Sequence, residues 1–143
     1  MPTIIFLDAN ILFTAAHNPT GKAALILELG GQISNLSPGS WQILTSTLAV
    51  EEARRNLGIK FPDSLARLES ILNEAKVVSS VSGTACPIDL PEKDRPIFLT
   101  AVKCGATHLL TGDIRHFGPY LNAPSRTAGV AIMTVAEFLG ERR

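Results

Sequence analysis

Cysteine is scarce in this 143-residue chain, aromatic residues make up 6%, and no charge predominates: 13 Lys and Arg face 13 Asp and Glu. Each shortage excludes something. Cys86 and Cys104 are too few for a disulfide framework and lack a C-x-x-C spacing, so a reducing cytoplasm is the expected setting. Charge balance rules out a bulk polycation, although it leaves room for a local basic groove. No apolar run reaches the ~18 residues of a spanning helix, so no membrane partner is expected. The opening Met1-Pro2-Thr3-Ile4-Ile5-Phe6-Leu7 lacks a basic leader and stops at Asp8, which reads as a strand entering a core rather than a signal peptide.

What remains is a core-forming composition, 45% apolar and 18% charged, with a mean hydropathy of +0.22. The length suits one domain over residues 1–143, able to bury about two-thirds of its unfolded surface without disulfide or structural zinc. Ile4-Ile5-Phe6-Leu7 reads as a strand buried on both faces. Further strands are expected at Gln42–Thr45, Val77-Val78, His108–Leu110 and Val130–Met133. Helices are expected at Thr20–Leu29, stopped by Gly30-Gly31, and at Thr47–Leu57, Asp63–Lys76, Asp94–Cys104 and Thr134–Leu139. Ser79–Pro91 is read as loop, and Trp41 after Pro38-Gly39-Ser40 as packing at a strand start. This alternation predicts an α/β fold around a mostly parallel sheet.

Ligands of such sheets sit beyond the carboxyl ends of the strands. Asp8 ends the first strand, Asp113 follows the fourth, Asp94 opens a helix, and Glu51 and Glu52 lie early in the helix after the second strand. Each has a local explanation: Asp94 as an N-cap, Asp8 as the cap of a turn, Asp113 in an Asx-turn, and Glu51 or Glu52 on a solvated helix face. Together on one sheet edge they are costly, since two carboxylates ~5 Å apart repel by ~3 kcal/mol at an effective dielectric of 20. A divalent cation removes that repulsion, and an all-oxygen donor set favours Mg²⁺ or Mn²⁺. Glu137 is explained by a capping box, Thr134-Val135-Ala136-Glu137, and is set aside, as are Asp63, Glu69 and Glu74 on an amphipathic helix. His17, His108 and His116 show no i, i+4 pairing that would suggest zinc. Cys104 reads as a small buried hydrophobe.

Phe6-Leu7-Asp8-Ala9-Asn10 resembles the opening motif of PIN-domain nucleases, a strand ending in Asp-x-Asn. The stretch from Ser46 to Leu57 resembles their second motif, Asp94–Ala101 the third, His108–Asp113 the fourth, and Gly129–Thr134 the closing strand and turn. The resemblance covers nearly the whole chain in the family's order. It implies a three-layer α/β/α sandwich and Mg²⁺- or Mn²⁺-dependent cleavage of RNA phosphodiesters. Among small members it points to the VapC-like toxins of bacterial toxin–antitoxin pairs, which dimerise and are silenced by an antitoxin. It transfers Asp8, Asp94 and Asp113 as metal-holding acids and favours Glu52 over Glu51 as the fourth catalytic acid. Asn10, Ser46 and Thr111 become supporting residues. Arg54, Arg55, Arg115 and His116 are candidate phosphate contacts, because they neighbour the motif acids. One departure stands out: many relatives carry a further acid two residues after the fourth motif's Asp, where this chain has Arg115.

Three other readings share parts of the pattern. A haloacid-dehalogenase-like phosphohydrolase needs an Asp where Asn10 stands. A phosphate-receiver domain wants adjacent acids where Asp8-Ala9 stands. A non-catalytic PIN-like module for RNA binding or assembly would not need all four acids.

Overall fold

The computed structural model describes residues 3–33, 41–81 and 85–141, the side chains of 31–33 and 141 excepted; Pro38-Gly39-Ser40 and Gly83 lie outside the described residues. Along the chain run β1 (Thr3–Leu7), α1 (Ala9–His17), α2 (Lys22–Ile33), β2 (Trp41–Ser46), α3 (Thr47–Lys60), α4 (Leu65–Leu72) and β3 (Lys76–Val78). They are followed by α5 (Arg95–Lys103), β4 (His108–Leu110), α6 (Ile114–Phe117), β5 (Ala131–Met133) and α7 (Val135–Glu141). The five strands form one sheet in the order β3-β2-β1-β4-β5, and every pairing is parallel.

Parallel neighbours require crossovers, and right-handed crossovers fix the layers. From β1 to β2 to β3 the chain steps one way across the sheet, which puts α1 to α4 on one face. It then returns past β1 to β4 and β5, which puts α5 on the other. The outcome is the expected α/β/α sandwich. Because the central strands are covered on both sides, Ile5, Phe6 and Leu7 have no exposed surface, and Leu109, Leu110 and Ile132 are equally buried. Phe138 of α7 meets Trp41 edge-on at 5.2 Å and packs the same way against His108, so the closing helix seals the core beside β2.

The structure departs from the sequence expectations in several places, α3 among them, which runs on through Gly58 to Lys60. Gly30-Gly31 does not stop the second helix, which continues to Ile33. Gly30 has a packing role instead: a Cβ there would lie 2.8 Å from Trp41 Nε1 and 3.0 Å from Ile43 Cγ1. The tight approach lets the indole N–H donate to the Ile26 carbonyl at 3.1 Å. Residues 9–17, to which the sequence assigns no element, form α1, with Ala9, Ile11, Leu12, Ala15 and Ala16 buried. The apolar run from Ile4 across Asp8 hides that switch of period. Residues 63–76, expected as one helix, divide into a 3₁₀ turn at Pro62–Ser64, α4, and a turn before β3. The four-residue α6 is too short to leave a periodic signal.

Two mid-helix glycines should therefore respond in opposite directions. Gly30→Val overpacks the junction of α2 and β2 and should destabilise by about 2 kcal/mol. Gly58 has open space where a Cβ would stand, with nothing within 4 Å, and should gain up to about 1 kcal/mol as Gly58→Ala. Urea denaturation midpoints of the two variants check both signs.

Candidate active site

The strand order reverses between β1 and β4, and the crevice beyond their carboxyl ends is where doubly wound sheets place ligands. The register Leu7↔Leu110 sets Asp8 beside Thr111. The Asp8 N–H continues the ladder to the Leu110 carbonyl at 3.1 Å, and Thr45 Oγ1 closes the other side on the Leu7 carbonyl at 2.9 Å. Asp8 is 5% exposed. Its Oδ1 caps α1 by accepting from Ala9 N at 2.7 Å, and its Oδ2 accepts from Thr111 Oγ1 at 2.8 Å.

Asn10 ties the two strand ends together. Its Nδ2 reaches Asp8 Oδ2 at a long 3.5 Å, while its Oδ1 accepts from Gly112 N at 2.8 Å. Gly112 suits this contact, since a Cβ would sit 3.3 Å from that oxygen. Thr111 Oγ1 also accepts from Asp113 N at 3.0 Å, which fixes the start of α6. Asp113 Oδ1 then caps that helix through His116 N at 3.1 Å, and Oδ2 accepts from His116 Nδ1 at 2.8 Å.

Asp94 stands at the head of α5, yet its side chain makes no capping bond. The N-cap account of this residue fails for that reason. It is 8% exposed, and Oδ2 is buried without a hydrogen-bond partner. His116 Nδ1 comes within 3.0 Å of Oδ2, but its hydrogen bond goes to Asp113. Ligand atoms of Asp94, Asp113 and His116 all lie within 4.8 Å of one another. On α3, Ser46 Oγ caps the first turn through Ala49 N at 3.1 Å. Glu52 is half-buried and its charge reaches both Asp8 and Asp94, whereas Glu51 is exposed.

The structure thus brings Asp8, Asn10, Ser46, Glu52, Asp94, Thr111, Asp113 and His116 to one end of the sheet. Arg54 does not join them. It lies two residues from Glu52, about 200° round the helix, and forks onto Glu69 with two bonds of 3.0 Å. Arg55 and Arg115 are exposed. The position of His116 between two carboxylates is one that sequence reasoning misses; the only signal is the i, i+3 spacing from Asp113. The remaining histidines are accounted for by packing: His108 bonds Thr107 Oγ1, and His17 stacks on Phe61.

Burial and mutual repulsion govern the acids. Asp8 is pushed from 3.8 up to about 6, first by loss of solvent, with the charges of Asp94 and Glu52 adding to the effect; the Thr111 and Ala9 hydrogen bonds oppose it. Asp94 is raised by burial and then by Asp113, with His116 opposing. The set contains three carboxylates crowded at one strand edge, an orphaned carboxylate oxygen and one imidazole. It fits a hard divalent cation.

A five-strand parallel sheet of order 3-2-1-4-5, with helices on both faces and acids where that order reverses, is the PIN-like fold. In particular it is the fold of the VapC-like toxins. A chain of the Rickettsia felis VapBC2 complex, solved bound to a DNA fragment from its promoter, superposes with a TM-score of 0.63 at 17% identity, over 92% of this chain and 98% of that one. A PilT N-terminus domain protein from Sulfolobus solfataricus gives 0.58 at 16% identity, over 98% and 93%. Mycobacterium tuberculosis VapC20, described as a sarcin–ricin-loop-cleaving toxin, gives 0.50 at 13% identity, over 78% and 92%. No protein-family model and no curated protein sequence matches the chain.

The raised Asp8 value carries a stability consequence. The folded chain keeps this proton up to about pH 6, whereas the unfolded chain releases it near 3.8. The contribution is therefore fully present below about pH 4 and is lost as pH rises through 6, by about 3 kcal/mol in all. Without metal, Asp8→Asn should be more stable than wild type at pH 7.5 by up to about that amount. The advantage should vanish below pH 4. Chemical denaturation of both proteins across this range in EDTA checks it.

Proposed function

We propose that the chain, as one PIN-like domain over residues 1–143, is a divalent-metal-dependent endoribonuclease and the toxin of a toxin–antitoxin pair. The observation that carries this reading is Asp94 Oδ2, a buried oxygen with no hydrogen-bond partner, facing Asp113 and His116 at the reversal point of the sheet. A buried carboxylate oxygen with no hydrogen-bond partner is expensive unless it serves a ligand. Asp8, Asp94 and Asp113 would hold Mg²⁺ or Mn²⁺, with His116 alongside. When bound, the ion supplies positive charge for the phosphoryl and leaving oxygens and makes a nearby water more acidic.

The chain's own groups do the rest. Glu52, charged and half-buried on the rim, orients the attacking water and accepts its proton. Ser46 holds Glu52 in place by capping α3, while Thr111 and Asn10 fix the Asp8 carboxylate. The water oxygen bonds phosphorus in line, the bond to the 3′ oxygen breaks, and that oxygen takes a proton from solvent. The ends produced are a 5′-phosphate and a 3′-hydroxyl. Arg55 and Arg115 are exposed cations beside the motif acids and serve as phosphate contacts. The fold neighbours supply the context: one is described as a sarcin–ricin-loop-cleaving toxin and another belongs to a VapBC complex. The partners proposed are therefore an RNA substrate, a protein antitoxin and a second copy of the chain. No helix among the described residues is long and apolar enough to cross a membrane.

Asp8→Asn and Asp113→Asn should each lower Mn²⁺-dependent cleavage of single-stranded RNA by at least about 100-fold. Asp8→Asn should melt at or above wild type, because its ionised carboxylate is a burden on the fold. Full activity in either variant would overturn the assignment. Induction in bacterial cells should arrest growth in a manner that requires Asp8, and harmless expression of the wild type would remove the toxin role.

A further inference from the structure

A groove of 520 Å³ opens beside the acids, between the loop ahead of α5 and the 3₁₀ turn Gly118–Tyr120 that follows α6. His116 lines it and also touches the Asp94 and Asp113 carboxylates, so groove and acid cluster share a wall. The far side is braced: Tyr120 Oη accepts from Asp89 N at 3.1 Å and approaches the Asp89 carbonyl at 3.3 Å. Two exposed arginines, Arg95 and Arg115, line this space, with Asp89 the one acidic residue on its lining among the described residues. Arg95 directly follows Asp94, and Arg115 lies two residues after Asp113.

Arg95 is anchored to the backbone beside the groove: its Nε donates to the Leu90 carbonyl at 2.9 Å. Among the described residues neither Arg95 nor Arg115 forms an ion pair, whereas Arg54 is consumed by Glu69. A guanidinium presents several donors in a fixed plane matched to phosphate oxygens. Two of them, unpaired and rising from the backbone next to the acids, make a cationic seat adjoining an anionic one. A polyanionic strand whose scissile phosphate sits with the metal needs this alternation.

We propose that this groove seats a backbone phosphate of the RNA strand, neighbouring the scissile one, through Arg95 and Arg115. The proposal rests on the nuclease reading and extends it by giving the strand a direction of exit and by adding Arg95 to the substrate-binding residues. These two arginines act on binding and register, not on the bond-breaking step.

The test is fluorescence anisotropy with a labelled single-stranded RNA oligonucleotide in EDTA, over a salt series, for wild type, Arg95→Gln, Arg115→Gln and the double variant. Lys22→Gln on α2, outside the groove lining, is the control. Each single variant should weaken binding about tenfold, and the slope of log K against log salt should fall by about 0.7 for each charge removed. In Mn²⁺ each should raise KM and leave kcat within about twofold. Unchanged RNA affinity in the double variant overturns the proposal while leaving the nuclease reading intact, provided that Asp8→Asn still abolishes cleavage. Unchanged RNA affinity combined with lost binding of a polyglutamate peptide would assign the groove to an acidic protein partner, and also overturns it. A wild-type protein that neither binds nor cuts RNA removes the nuclease reading itself. Thermal melts within about 2 °C of wild type ensure that lost affinity is not lost fold.

Discussion

Negative charge held out of water at the reversal point of a parallel sheet is the constraint on which the rest of this molecule depends. Asp8 and Asp94 are both nearly inaccessible, and Glu52 and Asp113 sit within reach of their charge. Folding alone would favour neutral residues at these positions, since a buried carboxylate without a full set of partners works against the native state. The chain nevertheless delivers the acids from four separate segments. Such convergence of like charges is expected where a cation is to be held and a phosphodiester polarised.

Helix starts do the delivering. Asp8 and Asp113 each give one oxygen to a backbone N–H, at Ala9 and at His116, and point the other toward the site. Capping thus orients each carboxylate, and the second oxygens are held by Thr111 Oγ1 and His116 Nδ1. Ser46 caps the first turn of α3, the helix that carries Glu52. Asp94 alone has no cap bond, and it is the acid whose oxygen is left without a partner. Thr111 links the pair from β1 and β4, donating to Asp8 and accepting from Asp113 N. The local chemistry that terminates each strand is therefore also the support of the site.

Much of this is legible in the residues. The continuous run Ile4–Leu7 identifies a central buried strand, and the alternation of periods identifies a parallel α/β sheet. The acids at strand ends and helix starts are visible as a group, and the family resemblance around Ser46 favours Glu52, which is half-buried where Glu51 is exposed. Other features are not legible, for physical reasons. Gly30 reads as a helix stop until the indole of Trp41 is seen packed against it. Segment α1 is masked because its apolar residues continue those of β1. The pairing of Arg54 with Glu69 depends on how α3 and α4 lie together, which no local spacing encodes. His116 enters the carboxylate cluster only because α6 turns it back toward α5, and a four-residue helix leaves no periodicity from which to foresee that.

The central claim is that these carboxylates form a seat for one class of cation, and the most direct measurement is isothermal titration of the purified protein with Mn²⁺ at pH 7.5. The account predicts saturable binding that is lost in Asp94→Asn, accompanied by a rise in melting temperature that the variant does not show. A wild-type protein that takes up no Mn²⁺ at millimolar concentration, with a melting temperature indifferent to the ion, would contradict it.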